Sequence, residues 1–238
     1  MALHTGKIRS GSAEIYYELY ANDKPKTLVL LHGNAESGKS FTKHIPILSE
    51  HFNILSVDSR GHGMSTIGDG ELSLNKMAVD LENVLDTLKL GKVNILGFSD
   101  GANIAMIFAP DNNDKIDKLI LVGGNLDYSG FNLSTKILVA IGYFLSWINL
   151  KIDKNSKVQN AYYYLMFKEP HIKPADINKI QAKTLVMAGD KDMIRPAHTR
   201  LIANSIKNGI LKTCEGDHFF IYREPEKFCE YIIDFLKE

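Results

Sequence analysis

A series of short aliphatic runs constrains the fold of this 238-residue chain more than any other feature. Each run is too short for a helix, is rich in Leu, Ile and Val, and ends at a glycine or a polar residue; the runs are Thr27 to Leu31, Phe52 to Val57, Val93 to Leu96, Lys118 to Val122 and Thr184 to Ala188. Such runs are typical of strands that are covered on both faces of a sheet. Helical patterns separate them, as between Leu74 and Leu88. This alternation predicts an α/β fold, with a mostly parallel sheet and helices on both of its faces.

The rest of the chain extends this pattern and interrupts it once. Lys7 to Ser10 and Ala13 to Tyr20 predict a hairpin, and Gly209 to Cys214 predicts the last strand of the sheet. Residues 125–182 are helical in character and contain no strand pattern. We therefore predict a core domain of residues 1–124 and 183–238, with residues 125–182 inserted into it as a helical lid.

Composition excludes several classes of protein. The apolar content of 45% and the charged content of 24% are ordinary for a soluble globular protein, and the formal net charge is zero. Nothing in this balance suggests a nucleic acid or an anionic membrane surface as a partner. The first residues contain no apolar signal-peptide core, so we expect a cytoplasmic protein. The longest apolar run, Ile137 to Ile148, is shorter than the roughly 20 residues of a membrane span, and we expect no span.

The same run, Ile137 to Ile148, is the most apolar part of the predicted lid. It is apolar around nearly its whole circumference, which predicts a helix that is covered on most sides. Its cover could be the core domain, an apolar group of a substrate, a second copy in a homodimer, or a lipid surface. A second aromatic cluster, Ala161 to Phe167, lies in the same segment. Together the two clusters predict a small-molecule substrate with an apolar part.

The pentapeptide Gly97-Phe98-Ser99-Asp100-Gly101 stands between a predicted strand and a predicted helix. A serine on such a sharp turn is held in a strained backbone conformation with its hydroxyl exposed. Glycines two positions before and after it allow the strand and the helix to pass closely. Ser99 is therefore a candidate nucleophile, provided that the fold supplies it with partners.

Candidate partners follow the ends of other predicted strands. His32, Gly33 and Asn34 follow the run from Thr27, Asp190 and Asp192 follow the run from Thr184, and His218 follows the last strand. Because the carboxyl ends of parallel strands meet at one edge of a sheet, we expect these groups to lie close to Ser99.

In this order the motifs resemble those of the α/β-hydrolase-fold serine hydrolases. The resemblance covers nearly the whole chain and rests on five motifs: His32-Gly33-Asn34, Asp58 to Ser65, Gly97 to Gly101, Gly189 to Asp192, and Asp217-His218. It implies the α/β-hydrolase fold and a carboxylesterase-like enzyme that needs no cofactor and no metal. Haloalkane dehalogenases and epoxide hydrolases share the fold but carry an aspartate nucleophile, so the serine at position 99 argues against both.

The resemblance also implies a role for each residue of a catalytic triad. Ser99 is the nucleophile, and His218 is the base that takes its proton. Asp192 is the acid that orients the imidazole, with Asp190 on the same loop as the alternative. Backbone N–H groups of Asn34 and Asp100 form the oxyanion hole.

The expected activity is hydrolysis of a small carboxylic ester through an acyl-enzyme on Ser99. The same triad also serves thioester, lactone, amide and C–C hydrolysis, and perhydrolase or haloperoxidase chemistry. Some members of the fold are ligand receptors with slow turnover, which is the alternative outside enzymes. The fold does not choose among these functions.

Other polar residues at this edge are interpreted as structural. We expect His32 to hold the oxyanion loop, and Asp58 and Arg60 to brace the loop that follows the second run. Glu36 is either a solvated loop carboxylate or a contact for a polar or cationic substrate.

Overall fold

The computed structural model describes residues 2–238, and of residue 155 it describes the backbone only. Eight strands form one sheet in the order β1-β2-β4-β3-β5-β6-β7-β8. Their bounds are β1 Ala2–Ser10, β2 Ala13–Ala21, β3 Thr27–Leu31, β4 Asn53–Val57, β5 Val93–Phe98, β6 Ile116–Val122, β7 Lys183–Gly189 and β8 Gly209–Cys214. The β1–β2 and β2–β4 pairs are antiparallel, and every later pair is parallel. The predicted mostly parallel sheet is confirmed.

Helices connect these strands. Their bounds are α1 His44–Ser49, α2 Leu74–Thr87, α3 Asp100–Phe108, α4 Leu133–Ile152, α5 Lys157–Lys168, α6 Pro174–Ile177, α7 Pro196–Ser205, α8 Phe220–Arg223 and α9 Pro225–Lys237. Short 3-10 turns cover Gly38–Phe41, Ala109–Asp111, Asn113–Lys115, Tyr128–Gly130 and Lys154–Ser156.

Two apolar cores lie on opposite faces of the sheet, as the continuous aliphatic runs predict. In β3, Val29 and Leu31 join the core beneath α2, α3 and α7, whereas Leu28 and Leu30 join the core beneath α1 and α9. Side chains alternate along a strand, so a strand with a core on each face needs an apolar residue at every position.

Two element boundaries differ from the sequence prediction. β1 begins at Ala2 rather than at Lys7, because its first residues pair with the end of β2. The helix expected over Ser40 to Ser49 is a 3-10 turn followed by the short helix α1. Pro46 has no N–H and would clash with a carbonyl one turn earlier, so it is tolerated only in the first turn of a helix that begins at His44.

The inserted segment, residues 125–182, contains α4, α5 and α6 and contributes none of the eight strands of the sheet. Its assignment as a lid domain on a core of residues 1–124 and 183–238 stays a prediction, and residue 1 of that core lies outside the described residues.

Helix α4 differs most from expectation. It is 20 residues long and extends beyond the predicted apolar run at both ends; by length and composition alone it could cross a membrane. The rest of the chain leaves most of it uncovered, because only 11% of its most apolar stretch is buried. Of the possible covers, the core domain is therefore not the main one, and coverage of this helix on most sides stays a prediction. It packs on α5 through small residues: a Cβ atom on Gly142 would lie 2.3 Å from the Tyr163 ring, and Asn160 Nδ2 donates to Ser146 Oγ at 3.0 Å. The large apolar side chains are left on the outer side.

Candidate active site

Ser99 occupies a strained turn between β5 and α3. Its φ and ψ angles are 53° and −116°, in the left-handed half of backbone space that non-glycine residues rarely adopt. The turn is fixed by the Ser99 N–H, which donates to the Val122 carbonyl at 2.8 Å. The glycines on either side have the predicted steric role, because a Cβ atom on Gly97 would lie 2.3 Å from the Gly101 carbonyl oxygen, and one on Gly101 would lie 2.1 Å from the Leu31 oxygen.

The structure brings Ser99, His218 and Asp192 together. His218 Nε2 lies 3.1 Å from Ser99 Oγ, and His218 Nδ1 lies 2.8 Å from Asp192 Oδ1. The side chains of His218 and Asp192 are 5% and 1% exposed, so their interaction is shielded from solvent. A chain of hydrogen bonds therefore runs from a buried carboxylate through an imidazole to the serine hydroxyl.

Asp192, and not Asp190, contacts the imidazole. Asp192 Oδ1 also accepts the Ile194 N–H at 2.9 Å, and this second bond fixes the rotamer that faces His218. Asp190, two residues earlier, directs its carboxylate elsewhere and accepts the Gly216 N–H at 2.8 Å. The geometry thus agrees with the choice of Asp192, with Asp190 as the alternative, that the resemblance implied.

Gly123 makes room for the imidazole, a role that sequence analysis missed. It has a φ angle of +63°, and a Cβ atom there would lie 2.7 Å from His218 Cε1. In the sequence this position is visible only as the first of two glycines after β6, and such a pair is also typical of an ordinary strand end without a functional role. Phe98 also packs against the imidazole, with 5.0 Å between the ring centroids.

The two expected oxyanion donors flank Ser99. Asp100 follows it directly, and Gly33 lies so close that a Cβ atom there would be 3.2 Å from Ser99 Cβ, which brings the backbone at Asn34 to the same place. Within residues 2–238 neither the Asn34 N–H nor the Asp100 N–H donates to a protein acceptor. Both are therefore available to a bound anionic oxygen.

The side chain of Asn34 binds the inserted segment instead of pointing at Ser99. Asn34 Nδ2 donates to the Tyr162 carbonyl in α5 at 2.8 Å, and the Tyr162 hydroxyl donates to the Gly61 carbonyl at 2.8 Å. The Tyr162 ring also stacks on His62, with 4.4 Å between centroids. Tyr162 was read from the sequence only as part of an aromatic cluster, because such a contact joins distant parts of the chain.

Glu36 braces the oxyanion loop. Its carboxylate accepts the Gly33 N–H at 3.1 Å and the Tyr222 hydroxyl at 2.8 Å. Glu36 is therefore not a freely solvated loop carboxylate, because its hydrogen bonds hold the backbone next to Ser99. Its contact with a polar or cationic substrate stays a prediction.

Two buried histidines near the loop are neutral and structural. The Ser59 N–H donates to His32 Nε2 at 2.9 Å, so the proton of His32 is on Nδ1, which lies 2.7 Å from the Gly33 oxygen. Burial lowers the pKa of His32 to about 4, and burial together with the neighbouring His32 lowers the pKa of His62 to about 4. The expectation that His32 holds the loop agrees with these contacts.

The carboxyl group of Asp100 is unusual for a residue beside a nucleophile. Oδ1 accepts from Asn103 Nδ2 at 3.2 Å, and the buried Oδ2 has no hydrogen-bond partner among residues 2–238. Burial raises the pKa of Asp100 to about 6, and the charge of Glu169 adds to this effect. The side chain is thus poorly solvated, whereas its backbone N–H donates to no protein acceptor within residues 2–238.

A cavity of about 720 Å³ lies between the oxyanion loop and the inserted segment. Asn34 and Ala35 form one wall, and the opposite wall comes from α4, α5 and the turn between them, including Asn149, Asp153, Ser156, Val158, Gln159, Tyr162, Tyr163 and Met166. Ser99, Asp192 and His218 are not part of the lining, and Asn34 is the residue that the cavity shares with the candidate oxyanion hole. In the part of the chain described, no group of three or more His, Cys, Asp or Glu residues could hold a metal ion.

Comparisons with known proteins identify the family and the fold of the chain. A family model described as alpha/beta hydrolase fold matches residues 26–149. A 2-hydroxy-6-oxononadienedioate/2-hydroxy-6-oxononatrienedioate hydrolase of Pseudomonas putida is 24% identical over 277 residues, covering 97% of this chain and 95% of the relative.

Solved structures show the same fold. An esterase of Exiguobacterium antarcticum superimposes with a TM-score of 0.83 at 22% identity, covering 98% of this chain and 99% of the other. An enol-lactonase of Burkholderia xenovorans superimposes with a TM-score of 0.82 at 18% identity, covering 98% of this chain and 100% of the other. At such identities the likeness concerns the fold, and the bond that each enzyme cleaves does not carry over.

Proposed function

The chain belongs to the alpha/beta hydrolase fold family, and on that premise we propose that it is a serine hydrolase that cleaves small carboxylic esters through an acyl-enzyme on Ser99. The observation that carries the proposal is the chain of hydrogen bonds from Asp192 through His218 to Ser99, at 2.8 and 3.1 Å. A serine hydroxyl is a weak nucleophile at neutral pH, and this arrangement gives it a base whose orientation is fixed.

Acylation begins when Ser99 Oγ attacks the acyl carbon and His218 Nε2 takes the hydroxyl proton. The carbonyl oxygen becomes an oxyanion, which accepts hydrogen bonds from the N–H groups of Asn34 and Asp100. Removal of one such donor typically lowers the rate about 10²–10³-fold. The imidazolium then returns its proton to the leaving alcohol, and the C–O bond of the ester breaks.

Deacylation repeats these steps with water as the nucleophile. His218 takes a proton from the water, the hydroxide oxygen bonds to the acyl carbon, and Ser99 Oγ leaves with the proton that His218 returns. In both halves the Asp192 carboxylate keeps the Nδ1 proton in place and stabilises the imidazolium.

The cavity beside Asn34 supports a substrate with an apolar acyl or alcohol part. Val158, Tyr163 and Met166 supply apolar surface to its lining. The lining also contains amide and carboxylate groups, so the substrate that fits it best carries a polar group at one end.

Hydrolysis of p-nitrophenyl acetate and p-nitrophenyl butyrate tests the proposal. We expect repeated turnover, with Ser99→Ala lowering kcat by at least about 10³-fold. Ser205→Ala, at the end of α7, serves as the matched control and should keep wild-type activity. Release of a single equivalent of p-nitrophenol would favour a ligand receptor, and full activity in Ser99→Ala would refute Ser99 as the nucleophile. Lactone and amide substrates in the same assay compare the other bonds that this triad can cleave.

A further inference from the structure

The outer face of α4 is an exposed apolar surface. Eighteen large apolar side chains are exposed among the residues that the structure describes, and nine of them belong to this helix: Leu133, Ile137, Leu138, Ile141, Phe144, Leu145, Trp147, Ile148 and Ile152. We propose that this face binds the surface of an anionic phospholipid bilayer, with α4 lying in the plane of the interface.

The inner side of α4 is occupied by protein, which leaves only the outer face for a partner. Its inner side contacts α5 at Gly142 and Ser146, and Val139 on the same side is buried. The chain just before the helix is bonded to the loop after β7, where the Asn132 N–H donates to the Met193 carbonyl at 2.9 Å. The helix is therefore held along its length against the rest of the protein, and it cannot cross a bilayer without losing these contacts.

The charge of this region differs from that of the whole chain. The protein is neutral overall, but residues 133–168 contain five lysines and a single acidic residue, Asp153. Lys151, Lys154 and Lys157 cluster where α4 ends, and all three are exposed. An apolar helix face with lysines at its margin matches an anionic lipid surface, in which apolar side chains enter the acyl region and ammonium groups meet the headgroups.

Trp147 and Lys151 form a pair suited to this interface. Lys151 Nζ lies 4.0 Å from the centroid of the Trp147 ring, which is 44% exposed. An indole ring favours the level between headgroups and acyl chains, and a lysine one turn later can extend from there to the phosphates.

A second copy of the chain fits this face less well. In an antiparallel pair of α4 helices, the lysines at one end would meet the first turn of the other helix, which contains no acidic residue and carries the positive end of the helix dipole. The charge pattern that suits a phosphate surface is therefore unfavourable for self-association.

Trp147 allows a direct test, because it is the only tryptophan of the chain. The full-length protein is mixed with vesicles of phosphatidylcholine and phosphatidylglycerol in roughly a 3:1 ratio, and with vesicles of phosphatidylcholine alone, in low and high salt. With the anionic vesicles in low salt we expect a blue shift of the emission, protection from an aqueous quencher, and co-sedimentation with the lipid.

Three variants separate the contributions to binding. Phe144→Glu, at a position that is 57% exposed, should lower the partition coefficient at least about tenfold, and Lys151→Gln should lower it about fivefold in low salt only. Val79→Glu on α2, at a position that is 54% exposed, is the matched control and should leave binding unchanged. Thermal unfolding of each variant shows that the fold is retained.

Several results would overturn the proposal. One is the absence of a shift in tryptophan emission with anionic vesicles. Another is binding to neutral vesicles that equals binding to anionic vesicles in both low and high salt. A third is an equal loss of vesicle binding in Val79→Glu and Phe144→Glu. A dimer in light scattering that Phe144→Glu abolishes, without vesicle binding by the wild type, would assign the face to a second copy. Ser99→Ala should bind like the wild type, so this test is independent of the proposed activity.

Discussion

Substitution of Asp192 by Asn tests the electrostatic part of the proposed mechanism. Asp192 Oδ1 accepts two hydrogen bonds, from the Ile194 N–H and from His218 Nδ1, so an asparagine would place its carbonyl oxygen there. The amide NH₂ group would occupy the position of Oδ2, which has no partner within residues 2–238. The imidazole would thus keep its tautomer and lose only the negative charge beside it.

The expected loss follows from that charge. The two charge centres lie about 4 Å apart in a buried setting, and an effective dielectric constant of about 20 gives an interaction of about 4 kcal/mol. Each 1.36 kcal/mol corresponds to a factor of about ten in rate, so kcat should fall about 10³-fold.

The assay is hydrolysis of p-nitrophenyl butyrate, with Asp190→Asn as the matched control. Asp190 lies on the same loop and bonds to Gly216, so its variant should change kcat by less than about threefold. A loss below tenfold in Asp192→Asn, or a larger loss in Asp190→Asn, would show that the carboxylate beside His218 does not act as described.

Three further predictions concern stability. Burial raises the pKa of Asp100 to about 6, so the ionised carboxylate destabilises the fold above pH 6, and this effect disappears below about pH 4. Asp100→Asn should therefore raise the free energy of unfolding by up to about 3 kcal/mol at pH 7.5 and leave it unchanged at pH 4, as measured by urea titration. Asp80→Ala should lower the free energy of unfolding by about 3–5 kcal/mol, because it leaves the buried Arg60 guanidinium without the carboxylate that accepts two of its hydrogen bonds. An equal loss when Asp80→Ala is introduced into an Arg60→Met variant would contradict this reason. Gly101→Ala should lower the thermal midpoint by at least about 6 °C, because its Cβ atom would lie 2.1 Å from a backbone oxygen of β3, whereas Gly91→Ala has open space and should change the midpoint little.

The family, the fold and the order of the strands in the chain were predictable because they depend on local patterns. A strand buried on both faces needs a continuous apolar run, and β3 to β7 each show one. The meeting of Ser99, Asp192 and His218 was also predictable, since parallel strands bring their carboxyl ends to one edge. The predicted family and fold are confirmed by the match of the family model and by the solved structures.

The sequence does not show which residues contact each other when they are distant in the chain. The composition of α4 shows how apolar the helix is, but not that α5 meets its small residues and leaves its large ones exposed. The contact of Gly123 with His218 and the bond from Asn34 to Tyr162 join segments that are distant in the chain. The resemblance favoured Asp192 over Asp190 as the acid, but only the direction of their hydrogen bonds shows which carboxylate contacts His218.

The bond between Asn34 and Tyr162 has a consequence for the kinetics of substrate exchange. Movement of α5 away from the core would break this bond and the bond from the Tyr162 hydroxyl to Gly61. At about 1 kcal/mol each, their loss makes the open arrangement roughly thirtyfold rarer than it would otherwise be. Asn34 also contributes an N–H to the proposed oxyanion hole, so the open arrangement is the one in which that donor is least well held. If the predicted lid opens to admit a bulky substrate, the same movement would thus loosen the proposed oxyanion hole, and it would have to close again before the reaction.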